Sequence, residues 1–297
     1  MAGEMTLNPD IVIRTLTMAT LVGLLFSAGL RLTWTEIARS LGQNRLGWIL
    51  PVNFVLVPVL TFLLARLFRV STDTAAGMVL LAAAPFAPVV PTFTRLAKGD
   101  LALASALTGL FPFLSAFVTP LVCELSLRPL LKTSSLHFDI VSIFEVLVST
   151  ITLPLAAGVL LRHRAPTLAR RLLKPLETLA EGLGTVALIF VVVVEFQIIC
   201  SIGGKALLAM ALASELAFLA GYMVSGPAPP ARVVVALGTA NRNIALALLV
   251  AVASFPGTPI VAMVVANGLL LILLGLVHVG WWRFFVSARN HVTAGDE

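Results

Sequence analysis

Apolar windows of about twenty residues recur along nearly the whole chain, and a window of that length crosses a bilayer as a helix. In hydrocarbon every backbone N–H and C=O must find a partner within the protein, which restricts how such a chain can fold. Only 11% of the 297 residues are charged, against roughly 25% in soluble domains. The chain therefore reads as an all-α polytopic membrane protein. One transmembrane domain is expected over residues 1–297, with no stretch among them left for a separate soluble unit.

Nine spans are predicted, at about 11–30, 46–67, 73–97, 100–125, 139–161, 177–202, 205–225, 230–253 and 257–285. The connections are short. The stretch RHRAPTLARRLLKPLE, between the fifth and sixth spans, is polar enough to sit in water. EGLGT is expected to interrupt the start of the sixth span. The N-terminal MAGEMTLNPD lacks the basic region of a cleaved signal peptide, so the first apolar segment is expected to be retained.

Orientation follows from lysines and arginines, which concentrate in cytoplasmic connections. Alternate connections hold Arg31, Arg39, Arg45, Arg95, Lys98, Arg162, Arg164, Arg170, Arg171, Lys174, Arg232, Arg283 and Arg289. The opposite side holds Arg66, Arg69, Arg128, Lys132 and Lys205. The bias predicts an N-terminus outside and a C-terminus inside the plasma or inner membrane. Trp34, Trp48, Trp281 and Trp282 then share the inner boundary, where interfacial aromatics belong.

Two spans cannot be straight helices. In the third, Pro85, Pro88 and Pro91 fall every third residue. Each removes a backbone donor and clashes with the carbonyl four residues back. The eighth carries Gly238, Thr239, Ala240, Asn241, Arg242 and Asn243 inside a long apolar run. Glycine and asparagine tolerate irregular backbone. An arginine at membrane depth is costly and marks function or a specific structural need. Asn241 and Asn243 can bond interrupted backbone, and Thr92 and Thr94 are placed to cap the second half of the third span.

The third span stands third in the set 11–125, and the eighth stands third in the set 177–285. The odd span at about 139–161 separates the two sets and reverses the orientation of the second. Matched interruptions in two halves are the sequence pointer to an inverted-repeat transporter with a site where the breaks meet. Half-helix N-termini there would favour anions.

Four stretches resemble the bile acid:sodium symporter family: AGLRLTWTEIARSLGQNR, LARLFRVSTDTAAGMVLLAAAP, TRLAKGDLALASALTG and GTANRNIALALLVA. LAKGDLALASALT is the most specific. The chain resembles the nine-span kind over about residues 20 to 285. The resemblance implies a core domain with two crossing broken helices, a panel domain that moves against it, and secondary transport of an organic anion, bile-acid-like or a small carboxylate, by alternating access. The alternatives are a proton-coupled efflux permease and a non-transporting membrane receptor or scaffold with the same fold.

The positions that supply sodium ligands in the family fall here on Val90, Pro91, Ala104, Ala236 and Ala240, while Asn53, Thr108 and Asn241 keep an oxygen. No carboxylate remains among them, so usual sodium coupling is not expected, no metal site is assigned and no cofactor is required. Arg242 is expected to stand in for the ion and to attract an anionic substrate. Glu215 is its candidate counter-charge, and Glu215 or Glu195 would carry a coupling proton. The site set is thus Arg242, Asn241, Asn243, Thr239, Pro85, Pro88, Pro91 and Thr92 at the crossover, with Glu215, Glu195, Asn53 and Thr108 for coupling. Thr108 is equally an ordinary threonine bonded back to its own helix, His278 is read as interfacial, and Phe86 and Phe111 as helix packing.

No enzyme motif is present. There is no glycine-rich phosphate loop and no HExxH, and the few histidines give a Ser–His–Asp set no credible context. Cys123 and Cys200 form no metal or redox motif. The expected partners are the bilayer and a small organic anion, not nucleic acid, despite the net charge of +6.

Overall fold

A computed structural model describes residues 9–31, 42, 45–131 and 138–293, the last nine of these by backbone alone. Trp34, Arg39 and Lys132, used in the orientation reading, lie outside the described residues, as does the side chain of Arg289.

The helices in chain order are α1 (Pro9–Arg31), α2 (Leu46–Leu67), α3 (Thr72–Ala82), α4 (Val90–Leu96), α5 (Leu101–Leu131), α6 (Ile140–Arg164), α7 (Pro166–Val194), α8 (Phe196–Cys200), α9 (Gly204–Val224), α10 (Pro229–Ala240), α11 (Ile244–Ser254) and α12 (Ile260–Thr293). Among the described residues, eight segments are long and apolar enough to cross a membrane, with α10 and α11 counted as one. The interrupted pair α3 and α4 falls where the predicted third span, about 73–97, was expected, and α3 is a shorter apolar helix.

Local signals set several starts. Ser71 caps α3 by accepting from the Thr74 N–H, and Asp139 caps α6 through Val141 and Ser142. The helix α1 carries Asp10 in its first turn and Arg31 in its last, both favourable to its dipole.

The connection before the sixth span differs from expectation. Arg170, Arg171 and Lys174 are not in a loop but in the first turns of α7, which begins at Pro166. Proline at N1 suits a helix start. EGLGT does not interrupt this helix either. Gly184 lies against Thr20, and Ala180 next to it packs on Gly23, so small residues buy closeness to α1 instead of a break. The interruption falls later, at Glu195 between α7 and α8.

The helices sort into two packed groups. In one, α1 lies on α6 and α7. Gly29 and Gly158 meet backbone to backbone, and a side chain on either would overlap the other helix. The second group holds α2, α3, α4, α5, α9, α10, α11 and α12. Here α3 packs on α11 and α4 packs on α10, so the two broken helices cross. Burial follows this plan: 89% of the best apolar window in α10–α11 is buried, against 17% in α7. The crossing pair is the centre of the molecule and α7 is its rim.

The family-specific segment LAKGD serves the crossing. The Asp100 N–H donates to the Pro230 carbonyl at 3.0 Å, and its carboxylate caps α5 by accepting from Leu103 at 3.0 Å. A side chain on Gly99 would press on Val233 and the Pro230 carbonyl. The segment thereby docks the start of α10 onto the α4–α5 corner.

Candidate functional site

The break between α3 and α4 spans residues 83–89, and the break between α10 and α11 spans 241–243. Broken helices leave backbone groups that hydrocarbon cannot satisfy. Here they satisfy each other. The Ala87 N–H donates to the Asn241 carbonyl at 3.0 Å, and the Asn243 N–H donates to the Ala84 carbonyl at 2.8 Å. Thr119 of α5 donates its hydroxyl to the Ala83 carbonyl at 2.6 Å. Phe86 sits between these bonds in the left-handed region, at φ 58°. Its ring stacks on Phe111 at 4.2 Å and lies where any side chain on Gly238 would have to go.

The asparagines act on backbone. Asn243 caps α11 by accepting from the Leu246 N–H at 3.1 Å, and Asn241 donates to the Leu237 carbonyl at 2.9 Å. Pro85 and Pro88 lie in the first break. Pro91 lies in the first turn of α4, where a missing N–H costs nothing. Thr92 and Thr94 do not cap α4: its N-cap is Val89, with no side-chain bond. The cap position had already passed when the threonines arrived.

Arg242 is 3% exposed. It donates to Asn53, reaching the side-chain oxygen at 3.2 Å and the backbone carbonyl at 3.4 Å. Residues 52–56 form a π turn, and the Val57 N–H goes to the Val52 carbonyl. The next donor would be residue 58, which is a proline. The Asn53 carbonyl is therefore left without a helical partner, and Arg242 takes it. Asn53 in turn donates to Thr239 at 3.1 Å, which ties α2 to the end of α10.

Glu215 is not the counter-charge of Arg242. Its carboxylate meets His278 at 3.0 Å, and among the described residues no ion pair joins Arg242 to an acid. The Glu215 side chain is 48% exposed, while Arg242 is buried and held by Asn53. His278 is buried and stacked on Phe218 at 4.0 Å. Glu195 lies by Asp10, at the opposite end of α1 from Arg31. The spacing of these acids in sequence could not reveal the faces they occupy.

A cavity of about 250 Å³ opens at the seam between the two helix groups. Pro88, Pro91, Thr92 and Arg95 line it from one group, with Ser105 and Thr108 of α5. Leu24, Ser27 and Arg31 of α1 and Lys174, Glu177 and Glu181 of α7 line it from the other. Arg31 pairs with Glu177, which leaves Arg95 and Lys174 against Glu181. Thr108 is not bonded back to its own helix; its buried hydroxyl has no partner among the described residues. The expected dipole of a half-helix N-terminus is not the source of positive charge here, because α4 has only seven residues. The source is Arg95 and Lys174, which outnumber Glu181 by one charge. Arg242 does not line this cavity. Neither Lys174 nor Glu181 was singled out as a site residue from sequence: Lys174 was read in the connection before the sixth span, and Glu181 in the EGLGT expected to interrupt it.

Two crossing interrupted helices beside a charged seam between two helix groups define an integral membrane protein of the secondary-transporter class. The sequence profile of the Sodium Bile acid symporter family matches residues 18–202, more than half of the chain. The chain is 26% identical over 206 residues to a probable sodium/metabolite cotransporter BASS2, chloroplastic, of Oryza sativa subsp. japonica, covering 68% of this chain and 47% of that protein. It is 24% identical over 276 residues to the BASS1 counterpart of Arabidopsis thaliana, covering 89% and 66%. It is 28% identical over 142 residues to the uncharacterized sodium-dependent transporter YocS of Bacillus subtilis (strain 168), covering 47% and 42%. The chain thus spans less than two thirds of the length of each of these relatives. It belongs to the sodium bile acid symporter family, a family of transporters rather than enzymes.

Proposed function

We propose that the chain is a secondary transporter of a small organic anion, working by alternating access between the α1–α6–α7 group and the group that holds the crossover. The observation that carries this reading is the seam cavity, lined from both groups and basic on balance. A rocking motion of one group against the other would open and close that seam while leaving the crossover intact. Its volume of about 250 Å³ lies below the ~300–1,000 Å³ of pockets for drug-sized ligands. A small carboxylate fits it better than a sterol acid. The basic residues around it are those of the side assigned as inner, so the cavity faces the cytoplasm of a plasma or inner membrane, with the N-terminus outside.

The names of relatives describe sodium/metabolite cotransport and sodium-dependent transport. Carrying a solute across a membrane is the part we extend to this chain. A proton-coupled permease is less well supported, because neither Glu215, which meets His278, nor Glu195, which lies by Asp10, lines the cavity. A scaffold without transport would not need a charged chamber at a sliding seam.

Uptake of a labelled panel of small keto acids and sterol acids into proteoliposomes tests the reading. Small carboxylates should enter, and Lys174→Gln and Arg95→Gln should each weaken uptake by raising the half-saturating concentration. If no member of the panel crosses with the wild type, organic-anion transport is the wrong function.

A further inference from the structure

Arg242 lines no part of the seam cavity. Behind the crossover lies a second, much smaller cavity of about 20 Å³. A water needs roughly 10–15 Å³ by such a measure, so this space admits one water-sized species. Its wall includes Leu81 and Ala82 at the end of α3, Ala240 and Arg242 at the end of α10, and Ser214 and Asn267. Both helices that end there present their C-termini, each equivalent to about half a negative charge. Two such ends together match one cation. The Asn53 carbonyl, freed by the π turn and Pro58, adds a third oxygen dipole. The Arg242 Nε and the Asn267 side-chain oxygen are buried there without a partner among the described residues.

A buried charge without a counter-charge is strongly unfavourable, yet no acid pairs with Arg242 among the described residues. The convergent carbonyl ends resolve this. We propose that this side of the crossover is a cation site, and that Arg242 is its tethered occupant. The guanidinium sits where a free monovalent cation would otherwise be needed to neutralise two helix ends. The wild-type core therefore holds together without a bound alkali ion. Removing the side chain uncovers a site for a small cation, with planar guanidinium the best match to the vacated space and its oxygens, and sodium a poorer one.

This binding claim stands apart from the transport reading; only its consequence, anion uptake indifferent to sodium, rests on that reading. The test is thermal unfolding of purified wild type, Arg242→Ala and Arg242→Lys in detergent. Each is measured in choline chloride alone and with low-millimolar guanidinium or with sodium replacing choline at equal ionic strength. Wild type and Arg242→Lys, which keep a tethered cation, should show no response to either cation. Arg242→Ala should unfold several degrees lower in choline, and guanidinium should restore part of that loss saturably, more than sodium does. Equal unfolding of Arg242→Ala in all three salts overturns the proposal. So does saturable binding of radiolabelled sodium by the wild type, a measurement that stands even if Arg242→Ala does not fold. Sodium-driven uptake by the wild type would also overturn it while leaving anion transport intact. Guanidinium rescue of Arg242→Ala in a protein that carries no organic anion would uphold the cation site and discard the transport reading.

Discussion

The two broken helices reach the same interruption by different chemistry. Between α3 and α4 the chain uses prolines and a left-handed Phe86 over seven residues, 83–89. Prolines remove donors, so this break asks for few partners. Between α10 and α11 the chain uses three residues, Asn241, Arg242 and Asn243. Their side chains supply the partners that a short break lacks, capping α11 and holding the last turn of α10. One break is made by subtraction and the other by addition. Neither is complete alone, since Ala87 needs the Asn241 carbonyl and Asn243 needs the Ala84 carbonyl. The lesson is that the crossover is one bonded unit rather than two adjacent kinks.

The most severe way to break that unit is Gly238→Val. Any side chain there collides with the Phe86 ring, which the stack on Phe111 keeps from retreating. Overpacking a dense core costs about 1–3 kcal/mol and sometimes more, and this site should lie at or above the top of that range. The expected outcome is loss of monodisperse protein on size-exclusion chromatography. A well-behaved Gly238→Val protein would show that Phe86 is free to move and that the unit is looser than its bonds imply.

Thr119→Val separates the breaks, because it removes only the hydroxyl that serves Ala83 in the first one. An unsatisfied buried carbonyl costs about 1–3 kcal/mol. Asn243→Ala acts on the second break and removes the cap of α11, worth about 0.5–2 kcal/mol. Thermal unfolding of both single variants and the double variant measures their coupling. Residues serving one network are expected to be non-additive. Strict additivity would mean that the breaks are independent, against the reciprocal bonds between them.

Much of this architecture was legible in the chain. Nine membrane-length segments, the proline triplet and the Asn–Arg–Asn run were visible because each departs from what an ordinary span tolerates. Their crossing followed from their matched positions. What stayed hidden depended on faces and on single bonds. Glu215 was assigned to Arg242 because both lie in neighbouring spans, but facing is set by packing, and Glu215 turned to His278. The start of α7 was masked by its charge, since Arg170, Arg171 and Lys174 look like a loop and are helical. That misreading also concealed the seam cavity, to which Lys174, Glu177 and Glu181 belong. The hold of Asn53 on Arg242 required the π turn. Its trace in sequence is Pro58, five residues on, which cannot donate to the Asn53 carbonyl in the π register, while the α-register donor, the Val57 N–H, goes to Val52.

The smallest effects sharpen the contrast most, because they ask whether the prolines hold the first break or merely fit it. Pro91 occupies the first turn of α4, where N–H groups have no intrahelical acceptor in any case. Pro91→Ala loses no bond in the folded protein. Its cost comes from the unfolded chain, which gains freedom worth about 0.4–1 kcal/mol. Pro85→Ala restores an N–H inside the break, yet the helical acceptor for residue 85, the Leu81 carbonyl, already accepts from Ala84 at 3.1 Å. The Ala84 carbonyl and the Ala87 N–H stay committed to Asn243 and Asn241. The helix should therefore not heal, and Pro85→Ala should unfold within a degree or two of Pro91→Ala, with amide hydrogen exchange across 83–89 unchanged. Marked protection of that segment in Pro85→Ala would show that the proline, and not the partner helix, keeps α3 and α4 apart.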